Sequence, residues 1–440
     1  MTTSLKRSKG SQSSLRIGTY SFWVKLCQVG AFNVYSNTVE NDNNRGYFQF
    51  TSDNKWRMVD NDASGTHIQL RTNRLFRDFN AWYHIVVRVD TTQATSTDRV
   101  RLYVNGVQET SFDQTDYPAQ NDDLKIFQGG QTNREYMNNI YGGSAQSTNF
   151  YLSHFHYADG QSYGPDTFGS TDATTGEWKI NTNPTVTYGN QGFFMFKNDA
   201  SLNDDSGNSN NWTADSGTVQ KSEDNPSNVF AVLNGLQRID DYNFSNGNNT
   251  FTNTSAAAHR CVHSTLAASS GKWYAEVKVI EVGGTYPQIG VINPDVITFT
   301  DYLGGSNKGY AYLSNGQKQS NNSATSYGNT YTTGDIIGVA MDLDNHKLYF
   351  SKNGTFQNSG VPTSGSTGTG AIDLATDVFY SFGGSSYKNG DNPVYSWNFG
   401  NGYFGTTAVS SAGTNASNNG IFEYDVPTGY TALSTRGLNT

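Results

Sequence analysis

At 440 residues, with 35% hydrophobic and 15% charged side chains and a formal net charge of −9, the chain has room for two or three domains and little positive charge to spend on phosphate. That balance excludes nonspecific binding to nucleic acid or to an anionic membrane surface. The 13% aromatic content excludes a disordered chain, which lacks the large side chains that drive burial.

Taken in chain order, residues 1–14 (MTTSLKRSKGSQSS) form a polar arm. Its Lys6, Arg7 and Lys9 follow no apolar periodicity and read as solvated charge or as an anchor. The arm has no apolar h-region and is not a secretory signal. No stretch approaches the roughly 20 apolar residues that cross a bilayer, so no membrane insertion is expected and the chain is made in a cytoplasm.

Residues 15–200 carry short aromatic and β-branched runs, among them Tyr20–Val24 and Tyr47–Phe50. Trp82–Val89 is nearly all apolar, which places it in the middle of a sheet. Val100–Val104 alternates and is followed by Asn105-Gly106, which predicts a type I′ hairpin turn because both residues tolerate positive φ. Residues 201–229 are polar and turn-rich, with Trp212 the one large apolar group, and read as a linker ordered in part through that indole. Strands resume over 230–440. Trp273–Val279 alternates, Ile336–Met341 is a continuous apolar run, Lys347–Phe350 leads into a second Asn-Gly at Asn353-Gly354, and Val394–Phe399 puts Tyr395, Trp397 and Phe399 on one face. No ten-residue helix with a 3.6-residue apolar stripe is present. The expectation is an all-β chain of two tandem antiparallel β-sandwiches. Cys27 and Cys261 lie far apart, which argues against a disulfide framework and against a thiolate metal site.

Three motifs in the second half, Ser270-Gly271-Lys272-Trp273-Tyr274-Ala275-Glu276-Val277, Gly334 through Asp344 (GDIIGVAMDLD) and Lys347-Leu348-Tyr349-Phe350-Ser351-Lys352-Asn353-Gly354, occur in the order of a SPRY (B30.2-like) domain, which residues 230–440 resemble. The first half, through Trp82–Val86, Asp98–Gly106 and Asp159-Gly160, resembles a laminin-G or pentraxin-type lectin domain. Both resemblances imply concanavalin-like jelly rolls. The whole chain is similar to virion-associated proteins of tailed bacteriophages, with Asp205–Trp212 and Asp224–Ala231 resembling that group's junction and Pro427–Thr435 its terminus. What this resemblance implies is a tail-fibre, tail-knob or capsid-decoration protein of the phage particle. It would be present in many copies and held to other virion proteins, with the arm as one attachment point.

Candidate sites are few. His154 and His156 flank Phe155 on a predicted strand, and two imidazoles at that spacing can share a transition metal, but a third ligand is missing; otherwise they are polar residues on one face. His84 sits in an aromatic run and reads as part of its strand. Asp199 through Asp205 offers oxygens to Ca²⁺ without the spacing of an EF-hand loop, so no cofactor is expected. The acidic pairs Asp122-Asp123, Asp204-Asp205 and Asp240-Asp241 fall on turns, and a glycosidase needs two carboxylates about 5–10 Å apart across a cleft; no Glu-x-Asp-x-x-Glu strand motif occurs, and no catalytic residue is assigned. Loop Tyr and Asn residues suit stacking on sugars and bonding to hydroxyls. Tyr302, Asn307 and Tyr310 in one region and Tyr387, Asn389 and Asn392 in another are the candidates. The expected function is non-enzymatic attachment to a host-surface glycan, with a purely architectural decoration or cement protein as the second reading and a carbohydrate-active enzyme as the third.

Overall fold

The structure is a computed structural model. It describes all residues except 1–2, 29, 39–42, 80, 130–133, 140–148, 198, 237–241, 256–257, 297–301 and 439–440; the acidic pair Asp240-Asp241 lies outside the described residues. The chain divides into two compact units, Met1–Lys221 and Ser222–Thr440. Both are built from antiparallel sheets, as the alternating runs require. Among the described residues the α-helices are single turns, Ser96–Arg99 and Thr435–Leu438, and no helix is long and apolar enough to cross a membrane.

In unit 1 an eight-stranded sheet runs Phe112–Asp116, Gly65–Thr72, Trp56–Asp62, Arg45–Phe50, Phe32–Thr38, Arg134–Met137, Ser4–Ser8 and Thr213–Ser216. It faces a six-stranded sheet of Phe193–Met195, Phe150–Asp159, Ile17–Leu26, Trp82–Asp90, Val100–Val104 and Val107–Glu109. Side chains of period two from both sheets, including Tyr20, Phe22, Phe48, Trp56, Val87 and Leu102, fill one core. Asn105 (φ 49°) and Gly106 (φ 78°) form the expected turn of two left-handed residues. Gly106 has a second reason to lack a side chain: a Cβ there would lie 2.4 Å from the Trp178 ring.

The reading of residues 1–14 as a free, solvated arm is corrected here. Ser4–Ser8 is an interior strand, paired with Arg134–Met137 on one side and Thr213–Ser216 on the other. Leu5, Arg7 and Lys9 are buried, so the strand alternates, but with cations at two of its three inward positions. Part of the expected linker is likewise structural: Trp212 is buried edge-on against Phe193 at 5.4 Å, and Thr213–Ser216 closes the sheet.

In unit 2 a larger sheet runs Tyr242–Ser245, Thr250–Asn253, Val394–Asn398, Lys272–Glu281, Ile336–Asp342, Lys347–Lys352 and Thr355–Phe356. The second sheet orders His259–His263, Ser381–Tyr387, Thr285–Ile292, Gly309–Leu313, Gln317–Ser320 and Ser323–Ser326. Tyr395, Trp397 and Phe399 enter the core together, and Trp397 and Phe399 stack at 5.1 Å. Asp335 ties the second Asn-Gly hairpin, accepting from Thr332 N and Asn353 Nδ2 at 2.8 Å each.

The outer face of the larger sheet is covered by residues 421–432, whose Phe422, Val426 and Tyr430 pack on Tyr274 and Tyr349. Glu276 pins this cover: its buried carboxylate accepts the N–H groups of Glu423 (2.8 Å) and Tyr424 (2.9 Å). Glu276→Ala takes the carboxylate from these two N–H groups and is expected to destabilise unit 2 by about 2–4 kcal/mol in denaturant unfolding. Burial raises the carboxyl's pKa to about 7. The folded state therefore takes up a proton that the unfolded chain does not. Stability is lost as pH rises through 7 and is fully present only below the ordinary carboxylate range, a slope that Glu276→Gln should flatten.

Candidate functional site

The smaller sheet of unit 2 assembles an aromatic cluster at one end of its outer face. His259 opens an outer strand and stands opposite Tyr387, the last residue of the neighbouring strand, so register brings their rings to 4.9 Å. On the other side of His259 stands Tyr302, also at 4.9 Å. Tyr302 leads into the short turn Leu303–Gly305, which is anchored through Leu303 N to Ser385 Oγ (2.9 Å) and Gly304 N to Gln288 Oε1 (2.9 Å). Leu303 packs with Cys261, Ile292, Ala311 and Leu313, an apolar footing that fixes the turn on the sheet. The Tyr302 hydroxyl donates to Asn322 Oδ1, at the tip of the Gln317–Ser326 hairpin. Tyr302, His259 and Tyr387 are each half-buried.

The structure thus brings two of the expected residues, Tyr302 and Tyr387, together from separate loop regions. His259 and Asn322 join them, and neither was legible beforehand, because strand register and a hairpin tip place them there. Asn389 and Asn392 are exposed on the loop beyond Tyr387, and Asn389 bridges to Asp391 across Gly390. Asn307 is exposed, and its carbonyl accepts from Tyr310 Oη at 3.3 Å. Tyr310 does not take part. It is buried in the core against Tyr380, its hydroxyl accepting Ala375 N at 3.1 Å, because alternation along Gly309–Leu313 turns residues 310 and 312 inward. It is removed from the candidate set on that ground.

In unit 1, His84, His154 and His156 are buried among aromatic and hydrogen-bonding neighbours. His84 lies between the rings of Trp23 (4.8 Å) and Trp178 (5.9 Å). Trp178 Nε1 donates to His84 Nδ1 at 2.9 Å, which leaves Nε2 carrying the proton, 2.9 Å from Ser21 Oγ. His154 occupies a β-bulge with φ 47°, its Nδ1 2.8 Å from Ser153 Oγ. His156 stacks on Phe194 at 3.9 Å and bonds Tyr188 Oη at 2.8 Å. The two rings are 6.4 Å apart, and among the described residues no group of three His, Cys, Asp or Glu is arranged to hold a metal. Burial pushes His84 down to about 3 and His154 to about 4, with His156 well below its ordinary value. In the segment considered for Ca²⁺, the Asp204 carboxylate is taken up by Phe194 N, Ser206 N, Ser206 Oγ and Asn210 N, all at 2.7–2.9 Å.

Each unit is thus a β-sandwich, and unit 2 carries an aromatic cluster at one end of a sheet. Comparison with known proteins makes each unit particular. Residues 8–156 match the concanavalin A-like lectin/glucanases superfamily, and residues 272–373 match the SPRY domain. The chain therefore carries a concanavalin-like domain followed by a SPRY domain. A curated relative, Ran-binding protein 9 of Danio rerio, is 34% identical over 107 residues, covering 22% of this chain and 17% of that protein. The chain thus spans less than a fifth of that relative's length. Solved structures with likeness to it include a human SPRY domain (13% identity, 36% of this chain and 94% of that one, TM-score 0.28) and the SPRY domain of human HERC1 (14%, 36% and 91%, 0.29). Stonustoxin is another (18%, 38% and 27%, 0.29).

Proposed function

We propose that this chain is a non-enzymatic component of a tailed-phage particle that attaches to host-surface glycans, with Tyr302, His259 and Tyr387 as the contact surface. The carrying observation is the convergence of those three rings, with Asn322, on one end of a rigid sheet. Ring faces stack on the C–H patches of a sugar, amides bond its hydroxyls, and the sheet beneath keeps the ordering cost low. Each contact is weak. Many copies on one particle convert modest affinity into firm attachment, which is how a virion protein without catalytic groups holds a host surface. The composite chemistry of the unit 2 loops, Tyr with Asn, favours a neutral polysaccharide.

Glycan-array binding by the purified chain tests this. Binding to one class of host polysaccharide is expected, and Tyr387→Ala or Tyr302→Ala should weaken it about tenfold each, the equivalent of about 1.4 kcal/mol for a lost stacking partner. Absence of binding to every host glycan would leave an architectural decoration protein as the reading. Release of oligosaccharide from host capsule or lipopolysaccharide would make it an enzyme instead.

A further inference from the structure

The N-terminal strand brings an amine, a carboxylate and a carboxamide together inside unit 1. Arg7, Glu135 and Asn37 are cross-strand neighbours in one row of the eight-stranded sheet, and Lys9 follows Arg7 inward. The side chains of Lys9 and Glu135 are 0% exposed, and Asn37 is 0% exposed. Lys9 Nζ lies 3.1 Å from Glu135 Oε1 and donates to Ile126 O at 3.2 Å. Asn37 Nδ2 donates to that same carbonyl oxygen at 3.3 Å, and to Lys125 O and Gln128 O at 2.6 and 2.8 Å. The amine and the amide nitrogen therefore share one acceptor. Asn37 Oδ1 is buried with no hydrogen-bond partner. Aromatic rings close the site: Lys9 Nζ is 4.6 Å above the Tyr157 ring, and Tyr20 Oη also donates to Ile126 O.

The charges do not balance at contact distance. Arg7 holds Glu135 Oε2, with Nε at 2.5 Å, and Lys9 holds Oε1, so two cations share one carboxylate. The other buried acid nearby, Asp159, is occupied by the N–H groups of Ser13, Ser14 and Gln191. An ammonium taken out of water under these conditions is costly, and burial lowers the Lys9 pKa toward the neutral amine. Once it gives up a proton to a neighbouring base, a desolvated lysine is a nucleophile.

We propose that Lys9 and Asn37 are joined by an intramolecular isopeptide bond, formed by the protein itself with Glu135 as proton carrier. Glu135 Oε1 takes a proton from the Lys9 ammonium. The freed lone pair attacks Asn37 Cγ and the Nζ–Cγ bond forms, Oδ1 taking the negative charge. The tetrahedral centre collapses as Glu135 returns its proton to Nδ2, the Cγ–Nδ2 bond breaks, and ammonia leaves. One of the two protons left on Nζ departs with it as ammonium, and the other stays as the amide hydrogen. No oxidant or cofactor enters, and the excess positive charge is expelled, leaving Arg7 and Glu135 as a one-to-one pair. The product ties the N-terminal strand covalently to Phe32–Thr38, across the intervening Arg134–Met137 strand. This inference is independent of any glycan ligand.

Intact-mass spectrometry of the purified full chain is the test. The mass is expected to fall below that of the sequence by one ammonia, about 17 Da, with a branched tryptic peptide containing both Lys9 and Asn37. Lys9→Arg should restore the full mass, as should Glu135→Gln, which keeps a side chain of the same shape without a carboxylate to carry the proton. The wild-type peptide map decides the matter even if a variant fails to fold. Separate, unmodified Lys9 and Asn37 peptides, or a hydrolysed Asp at 37, would overturn the proposal.

Discussion

Deleting residues 1–10 is expected to leave unit 1 unfolded while unit 2 still folds. Were those residues a solvated arm, the deletion would be silent. Instead it removes an interior strand and exposes the edges of Arg134–Met137 and Thr213–Ser216 to pairing with other chains. It also strips Glu135 of Arg7 and Lys9, leaving a buried carboxylate with only the Tyr35 hydroxyl among its described side-chain partners. Breaking one side of a buried ion pair costs about 3–5 kcal/mol. Loss of the Leu5 side chain from the core adds about 2 kcal/mol. Together with the strand's ladder these losses reach the 5–15 kcal/mol on which a typical domain survives. Arg7→Ala isolates one component. It also removes the guanidinium from the faces of Phe193 and Trp212, 5.0 and 5.6 Å away, and should lower the melting temperature of unit 1 by about 10 °C. Calorimetry of the truncated full chain would show one transition in place of two. An unchanged transition for unit 1 would contradict the role given to the strand.

The same strand marks where sequence reading stopped. The apolar runs were legible because alternation in Val100–Val104 or Trp273–Val279 reports a half-buried strand directly, and Asn105-Gly106 and Asn353-Gly354 report turns whose positive φ values such residues tolerate at least cost. From Leu5 to Lys9 the N-terminal strand and its extension also alternate, but two of the residues sent inward are Arg7 and Lys9. A rule that takes charge as a sign of solvent reads such a strand as an arm. Its partners stand more than a hundred residues away at Glu135 and two hundred away at Thr213, and no local window contains them. The aromatic site failed in the same manner. Residue type singled out Tyr302 and Tyr387 in two separate loop regions, but their meeting around His259 is set by strand register and by a turn seated on Leu303. Tyr310, of the same residue type and only eight positions from Tyr302, is sent to the core by its place in a strand.

Acid should unfold unit 1 through its three buried histidines. His84, His154 and His156 are neutral in the folded state, while in the unfolded chain each protonates near pH 6.5. The unfolded state therefore binds more protons below that value. The stability associated with the neutral rings is fully present above about pH 7, declines as pH falls through 6.5, and stops declining only where the folded imidazoles themselves protonate, at about 3 for His84 and about 4 for His154. At pH 5 each ring contributes a loss of about 2 kcal/mol. Among the described residues Ser21, Trp23, Phe168 and Trp178 contact His84 and none is a carboxylate, and Lys197 opposes the protonation of His154 and His156. Asp60 works in the opposite sense: burial raises its carboxyl to about 7, so its contribution grows as pH falls. The response of the wild-type chain sums contributions of both signs, and a paired comparison isolates that of one histidine. His84→Gln can still accept from Trp178 and donate to Ser21 but does not titrate. It should be less stable than wild type at pH 7.5, and the gap should close by about 2 kcal/mol at pH 5, read by denaturant unfolding with hydrogen exchange on Trp82–Asp90. Parallel stability curves for the two proteins would mean that His84 is not held neutral. In that case the indole hydrogen bond from Trp178 would not be what fixes its tautomer.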